Sequence, residues 1–285
     1  MVEQVPLTQA QIEEWISNAT GAFHYTKVMD GQIPKELWSQ LRECMHRAKN
    51  KGKCSPVPHK GDGWWRPTDT TSEELCWWEG SDEVGDNLVL PLGMNKYCYI
   101  PIPSLVIVAG KYNSGKTAMC MNIVNLNIEK WGGRLTFFVS EGAEMLGGKF
   151  HNMRPQVPIP PPFKTRRKTE NFADEIDPNG LTVIDYLRVN MEQSYAVGSE
   201  LFAIFNKLDK GIAVVAMQKP PGDRKLAFGG ASTAFEPSLY ISMDNGWVGF
   251  EKVKVPKLAA DPYNLRIEFR LENGVNFTEV AEIYE

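Results

Sequence analysis

The sequence predicts an α/β protein in which a mostly parallel sheet is flanked by helices and preceded by a small helical domain. From Ser104 onward, apolar runs of strand length alternate with helix-compatible stretches, which is typical of a parallel sheet. The first run leads into a glycine-containing turn and then into a helical stretch. The 285 residues leave room for a second, smaller domain. We expect a small domain at 1–66, a linker and docking segment at 67–103, and the main domain at 104–285.

The N-terminal segment combines two helical patterns with a turn-rich stretch. Thr8 is a suitable N-cap for a first helix with apolar residues at Ile12 and Ile16. A second pattern starts near Lys35 and keeps its apolar residues on one face. The glycines at 61 and 63 then predict a turn between two short extended pieces.

This order of helix, helix and hairpin resembles a winged helix-turn-helix, in which the hairpin is the wing. The far end of the second helical pattern is basic, and Arg47 and Lys49 are the residues there that we expect to contact DNA. A solvated basic helix end beside a hairpin that binds no DNA explains the same pattern equally well. Winged helices also serve as protein-binding modules, so both alternatives stay open.

The bulk composition narrows the class of protein. A net charge of −4 indicates no general attraction to nucleic acid, so such a site must come from local clusters. No run approaches the ~18–20 apolar residues of a membrane span, and the N-terminus lacks the features of a signal peptide. The five cysteines form no C-x-x-C pair, which favours reduced thiols and a cytoplasmic protein. Cys44, His46, Cys54 and His59 match the spacing of no familiar zinc site.

The acidic stretch that opens the segment 67–103 gives way to prolines and glycines. This composition predicts a linker, and we expect Trp77 and Trp78 to dock it against the main domain.

Residues 110–117 carry the motif G-x-x-x-x-G-K-T directly after the first apolar run. Such a loop turns backbone N–H groups and a helix N-terminus toward phosphates. Lys116 is expected to reach the β- and γ-phosphates, and the Thr117 hydroxyl to hold Mg²⁺. The sequence therefore predicts a site for ATP and Mg²⁺. Its nucleotide-binding residues are Gly110, Asn113, Ser114, Gly115, Lys116 and Thr117.

The main domain continues the alternation of strands and helices. The stretch 154–178 interrupts it with a proline-rich run and a basic run, and we predict a surface loop there. The predicted strands are 105–108, 135–139, 181–184, 212–216, 239–242, 247–253 and 265–271, with helices at 115–130, 144–151 and 197–208.

Three of these strands end in side chains suited to nucleotide chemistry. Asp185 ends an apolar strand, as the acid that completes a P-loop metal site does. Glu141 follows the strand that we expect beside the P-loop strand, where its carboxylate can polarise the attacking water, with Glu144 as the competitor. Either acid is also explained as a favourable charge at a helix N-terminus. Gln218 ends another strand and is a candidate sensor of the γ-phosphate.

With the P-loop, the segments Phe138-Val-Ser-Glu141, Val183-Ile-Asp-Tyr-Leu187 and Val215-Ala-Met-Gln218 resemble the motifs of the RecA-like ATPase superfamily, in the family order. The closest branch is the DnaB-type replicative helicase ATPase domain, and the resemblance covers about 104–272. It implies that Glu141 is the catalytic base, that Asp185 shares the Mg²⁺ with Thr117, and that Gln218 is the sensor.

The resemblance also implies contacts with DNA and with neighbouring subunits. The loop after Gln218 would touch DNA backbone through Arg224 and Lys225, unless it is only a solvated turn. A finger reaching the next subunit's site would come from Lys252 and Lys254, where the family usually has Lys-x-Arg; an exposed strand of alternating charge is the alternative. Two further candidates for DNA contact lie in the basic run, Arg166 and Arg167.

These observations predict a Mg-ATP-hydrolysing, DNA-dependent ATPase that forms a ring or filament and acts as a helicase or translocase in replication, recombination or mobile-element biology. Its expected partners are single- or double-stranded DNA, further copies of itself and a replication or mobile-element protein. The alternative is an ATP-switched DNA-binding adaptor with little turnover. A small-molecule kinase is a third hypothesis, and only the basic run 164–168 could supply its lid.

Overall fold

The structure is a computed structural model and describes residues 8–58, 60–72, 87–187, 196–222, 225–257 and 261–284. The chain divides into two compact units, Met1–Trp77 and Trp78–Glu285. Trp77 and Trp78, the expected docking residues of the linker, lie outside the described residues, as do His59 and Arg224.

The first unit packs two helices against a small antiparallel sheet of order β1-β3-β2. The Thr8 side chain accepts a hydrogen bond from the backbone N–H of Gln11, which confirms the predicted N-cap. Ile12 and Ile16 are fully buried. The elements are α1 (Gln9–Asn18), β1 (Phe23–His24), 3₁₀ segments at Tyr25–Gly31 and Lys35–Leu37, α2 (Trp38–Asn50), β2 (Cys54–Pro56) and β3 (Trp64–Pro67).

The second unit is built on a nine-stranded sheet of order β12-β11-β10-β9-β4-β8-β7-β5-β6. The six neighbouring strands from β9 to β6 in this order run parallel to one another. Strands β10, β11 and β12 are antiparallel to their neighbours. The predicted mostly parallel α/β class is therefore confirmed. Its elements are β4 (Ser104–Gly110), α3 (Lys116–Leu126), α4 (Ile128–Trp131), β5 (Leu135–Val139), α5 (Ala143–Asn152), β6 (Lys164–Arg167), β7 (Leu181–Leu187), α6 (Val197–Asn206), β8 (Ile212–Gln218), β9 (Leu239–Asp244), β10 (Trp247–Val253), β11 (Leu265–Glu272) and β12 (Asn276–Tyr284).

Helices cover both faces of the central strands. Successive side chains of a strand point to opposite faces, so β4 sends Val106 and Val108 into one core and Leu105 and Ile107 into the other. The first core includes α3 and the second includes α6. Burial on both faces explains why β4 is a continuous apolar run.

Several predictions about this unit need correction or refinement. The stretch 154–178 is not a loop throughout, because Lys164–Arg167 forms β6 and pairs with β5 at the sheet edge. Residues 87–103 do more than link, since they contribute buried side chains to the core of the unit. The buried side chains of residues 87–103 are Leu88, Leu90, Met94, Tyr97, Cys98 and Ile100. The final strand, Asn276–Tyr284, was not predicted.

Candidate nucleotide-binding site

The P-loop connects the carboxyl end of β4 to the start of α3. Asn113 and Gly115 have left-handed backbone conformations, with φ of 60° and 91°. A Cβ at Gly110 would collide with the Ser114 hydroxyl and lie 2.8 Å from Cγ of Lys116, so these side chains would have to shift to admit one. The Ser114 hydroxyl is buried and has no partner among the described residues. The loop is thus a tight cradle with a polar atom left unpaired inside it.

Lys116 curls back over this loop. Its Nζ donates to the carbonyl oxygens of Gly110 at 3.1 Å and of Lys111 at 2.7 Å. Burial lowers the pKa of Lys116, while the nearby Asp185 carboxylate opposes that shift. A partly desolvated ammonium attracts an anion more strongly than an exposed one does, which suits a phosphate-binding lysine.

Thr117 and Asp185 lie together, as predicted for a Mg²⁺ site. The Thr117 hydroxyl donates a hydrogen bond to the Asp185 carboxylate, and Asp185 is only 5% exposed. Burial raises the pKa of Asp185, and Glu141 adds to the rise, while Thr117, Lys149 and Lys116 oppose it. A hydroxyl beside a buried carboxylate is a donor set that hard cations prefer, so these residues fit Mg²⁺.

Glu141 lies near this site, but the strand that carries it has a different position in the sheet from the one predicted. Its strand, β5, is not beside the P-loop strand, because β8 and β7 lie between β5 and β4. The order of strands in a parallel sheet is set by long-range crossovers, which no local sequence pattern reveals. Instead, β5 lies beside β7, with Val139 opposite Asp185, and this places Glu141 close to Asp185.

The Glu141 carboxylate is held by Lys149, a partner that the sequence analysis missed. Lys149 Nζ donates to both Glu141 oxygens at 2.7 Å. The two side chains are 28% and 27% exposed. Glu144, the competing acid, is exposed in the first turn of α5. The i to i+8 spacing of Glu141 and Lys149 crosses the start of a helix, so no standard helical pairing rule indicates it.

Gln218 ends β8 next to the P-loop. Its Cα is paired with that of Gly110, and the following Lys219 N–H donates to the Gly110 carbonyl at 3.0 Å. The Gln218 carbonyl accepts from the Phe228 N–H at 2.9 Å, closing the loop that follows. Gln218 therefore lies directly beside the first residue of the P-loop.

A second ion-pair cluster at this edge was not predicted from the sequence. Lys219 Nζ, with its side chain 1% exposed, donates to Ser242 Oγ and to Asp244 Oδ2, both at 2.9 Å. The other Asp244 oxygen pairs with Lys111 Nζ of the P-loop at 2.9 Å. Burial raises the pKa of Asp244, but the bonds from Lys111 and Lys219 bring it below its ordinary value. The sequence signal available for this cluster was an acid at the end of β9, which is the other neighbour of the P-loop strand β4.

The two candidate finger lysines contact backbone of their own chain. Lys252 Nζ donates to the carbonyls of Ala234 at 2.6 Å and Phe235 at 3.0 Å. Lys254 Nζ donates to the Glu236 carbonyl at 3.1 Å. Burial, together with Lys254, lowers the pKa of Lys252.

The candidate DNA-binding residues that the structure describes are exposed. Lys225 lies 3.8 Å from Glu251 in a loose ion pair, and its carbonyl accepts from Ser242 Oγ at 3.1 Å. Arg166 pairs with Glu175 at 2.6 Å, and Arg167 lies beside it on β6. In the first unit, Arg47 and Lys49 occupy the last turn of α2, where Arg47 pairs with Glu43 at 3.3 Å.

Comparison with known proteins adds no assignment, since no family model and no curated protein matches the sequence.

In the part of the chain that the structure describes, no helix is both long and apolar enough to cross a membrane. Nor do the described residues bring three His, Cys, Asp or Glu side chains together as a metal cluster. The buried thiol of Cys54, one of the residues considered for zinc, has its pKa raised by burial to about 11, which disfavours the metal-binding thiolate.

Proposed function

We propose that this chain is a Mg-ATP-hydrolysing, DNA-dependent ATPase of the RecA/DnaB-like class, acting as an oligomeric helicase or translocase. The observation that carries the proposal is the grouping of Lys116, Thr117 and Asp185 at the mouth of the P-loop. Ligands of open α/β sheets bind at the carboxyl ends of the strands, where the chain crosses from one side of the sheet to the other. The neighbours β4 and β8 form such a place, because the chain leaves β4 toward β5 on one side and leaves β8 for β9 on the other.

Each polar residue has a role in this proposal. The loop amides and Lys116 bind the phosphates, and Thr117 and Asp185 hold the cation. Bound Mg²⁺ would neutralise charge that develops on the phosphates. Glu141 orients the attacking water and accepts its proton once Lys149 releases the carboxylate. Gln218 passes the state of the γ-phosphate to the loop that carries Lys225.

The DNA and the oligomer belong to the same proposal. Exposed cations at Lys225, Arg166 and Arg167 supply charge for a nucleic-acid backbone. The first unit has helices followed by a hairpin, with Arg47 and Lys49 in the last turn of α2, which supports a winged-helix DNA contact. Further copies of the chain would complete the site in a ring or filament.

An ATP-switched DNA-binding adaptor is the second candidate. Two features favour it. Lys149 holds the base Glu141. Lys252 and Lys254, the candidate finger residues, bind carbonyls of their own chain rather than reaching outward. Such a protein would bind ATP tightly and turn it over slowly.

Steady-state ATP hydrolysis, with and without single-stranded DNA, tests the proposal. We expect DNA to stimulate turnover in the wild type, and Lys116→Ala to reduce it by about 100-fold or more, the scale of losing a charge-stabilising group. Lys207→Ala, at an exposed lysine after α6, is the matched control and should behave as wild type. Tight ATP binding without turnover would leave the adaptor. No ATP binding at all would reject both candidates.

A further inference from the structure

A cavity of about 650 Å³ opens beside Glu141, between α5, β6 and the proline-rich segment before β6. Leu146 and Phe150 of α5 form part of its apolar wall together with Val157 and Phe163. Pockets of ~300–1,000 Å³ with apolar walls and a few polar groups are the usual form of small-molecule sites. Among the described residues, none of those assigned above to phosphate or Mg²⁺ lines this cavity.

The proline-rich wall of the cavity is tied to the rest of the unit. Asn125 Nδ2 donates to the Pro155 carbonyl at 2.9 Å. The Asn276 side chain accepts from the Arg154 N–H at 2.9 Å and donates to the Asn152 carbonyl at 2.8 Å. These bonds join the start of the segment, where it leaves α5, to α3 and β12.

Two adjacent glycines in α5 differ in their relation to this cavity. Gly147 lines it, and a Cβ built there meets no atom within 4 Å. Gly148 also has open space around a Cβ, but it is not part of the cavity wall. Glycine destabilises a helix interior relative to alanine, and at Gly147 it leaves the cavity volume open.

The rim of the cavity carries excess positive charge. The Glu141 carboxylate is bound by Lys149, and Glu175 is bound by both Arg166 and Lys168 at 2.6 Å. Arg167 also lines the rim, is exposed, and has no ion-pair partner among the described residues. Of the charged side chains that line the cavity, Glu141 is matched by Lys149 and Arg166 by Glu175, so an anionic group gains most from approaching Arg167.

We propose that the cavity binds a small amphipathic organic anion, with its apolar body between α5 and the proline-rich segment and its anionic head near Arg167. The apolar wall selects the body, and Arg167 selects the head. The cavity adjoins the nucleotide site, because Glu141 lines the cavity and also lies close to Asp185, but its assignment does not depend on ATP hydrolysis.

Fluorescence titration of the full chain with 8-anilino-1-naphthalenesulfonate tests the site, because this probe joins an apolar ring system to one anionic group. We expect Gly147→Phe to raise the probe's Kd by about ten-fold or more, since the ring fills the cavity. Gly148→Phe introduces the same side chain one position on and should leave Kd within about two-fold. Equal binding by all three proteins, or equal loss in both variants, would overturn the proposal.

A second comparison needs no change in the cavity wall and keeps the test decisive if Gly147→Phe does not fold. Wild type should bind N-phenyl-1-naphthylamine, which lacks the sulfonate, more weakly than the anionic probe. Arg167→Gln should weaken the anionic probe about three-fold or more and leave the neutral one unchanged. If the neutral probe binds as tightly to the wild type, the anionic selectivity is wrong.

Discussion

Asp244 holds two lysines of the candidate nucleotide site at once. It accepts from the buried Lys219, which follows Gln218, and from Lys111 within the P-loop. A buried ammonium is costly unless an anion and further acceptors satisfy it, and Asp244 and Ser242 do so for Lys219. The ion pairs of Asp244 therefore join the Lys111 side chain of the P-loop to the Lys219 side chain at the start of the loop after Gln218.

Replacing Asp244 with asparagine should destabilise the protein by about 3 kcal/mol, because it leaves a buried lysine without its counter-ion. Since the folded-state pKa of Asp244 is lowered, this contribution is present above the unfolded pKa near ~4 and is lost as pH falls through the folded value. Urea unfolding of wild type and Asp244→Asn at pH 7 and at a series of pH values below 4 measures both effects.

The control for this change is Asp209→Asn, which removes the same charge from an exposed position after α6. It should change the free energy of unfolding by less than about 0.5 kcal/mol. If Asp244→Asn were as stable as this control, the ion pair would have no structural role.

The residues that the sequence predicted well are those that a motif ties to a strand end. Thr117 follows the P-loop lysine, and Asp185 follows the apolar run that opens β7, so a local sequence pattern indicates both residues. Lys219 and Asp244 are 25 positions apart and share no motif, and only the pairing of β9 with β4 brings them together. Such a contact depends on tertiary structure, which a single sequence does not reveal.

At the scale of elements, the turn from β4 into α3 depends on the absence of a side chain at Gly110. Gly110→Ala would drive a methyl group into the Ser114 hydroxyl and against Lys116, so both side chains must move from their places in the loop. The β4 interior is untouched, and we expect the far-UV circular dichroism spectrum to be preserved. The Kd for ATP should rise about ten-fold or more, as measured by equilibrium titration.

Gly133→Ala is the matched change in a place where the added Cβ meets no atom within 4 Å. It should leave ATP affinity within about two-fold of the wild type. Unaltered ATP binding by Gly110→Ala would mean that the loop is not the phosphate cradle we describe.

The predictability of strands follows their position in the sheet. Strands β4, β7 and β8 are buried on both faces and therefore appear in the sequence as apolar runs. The edge strands β6 and β12 are mostly exposed and carry no continuous apolar run, since β6 is polar throughout and β12 mixes polar with apolar side chains. The central sheet could be predicted from the sequence, but its edges could not.

At the scale of the whole molecule, the two units have separate hydrophobic cores. Residues of α1, α2 and β3 form one cluster, and the nine-stranded sheet with its helices forms the others. A unit with its own core can fold alone. We therefore expect a fragment that starts at residue 78 to unfold cooperatively on heating and to bind ATP within about two-fold of the full chain.

The same fragment tests the DNA assignment of the first unit, because it lacks the basic end of α2. If Arg47 and Lys49 contact double-stranded DNA, the fragment should bind such DNA more weakly than the full chain, with a smaller dependence on salt. The full-length variant with Arg47→Gln and Lys49→Gln should show the same loss, which separates the effect of charge from that of truncation. DNA affinity and salt dependence unchanged in both proteins would assign the first unit to another role, such as binding a protein partner.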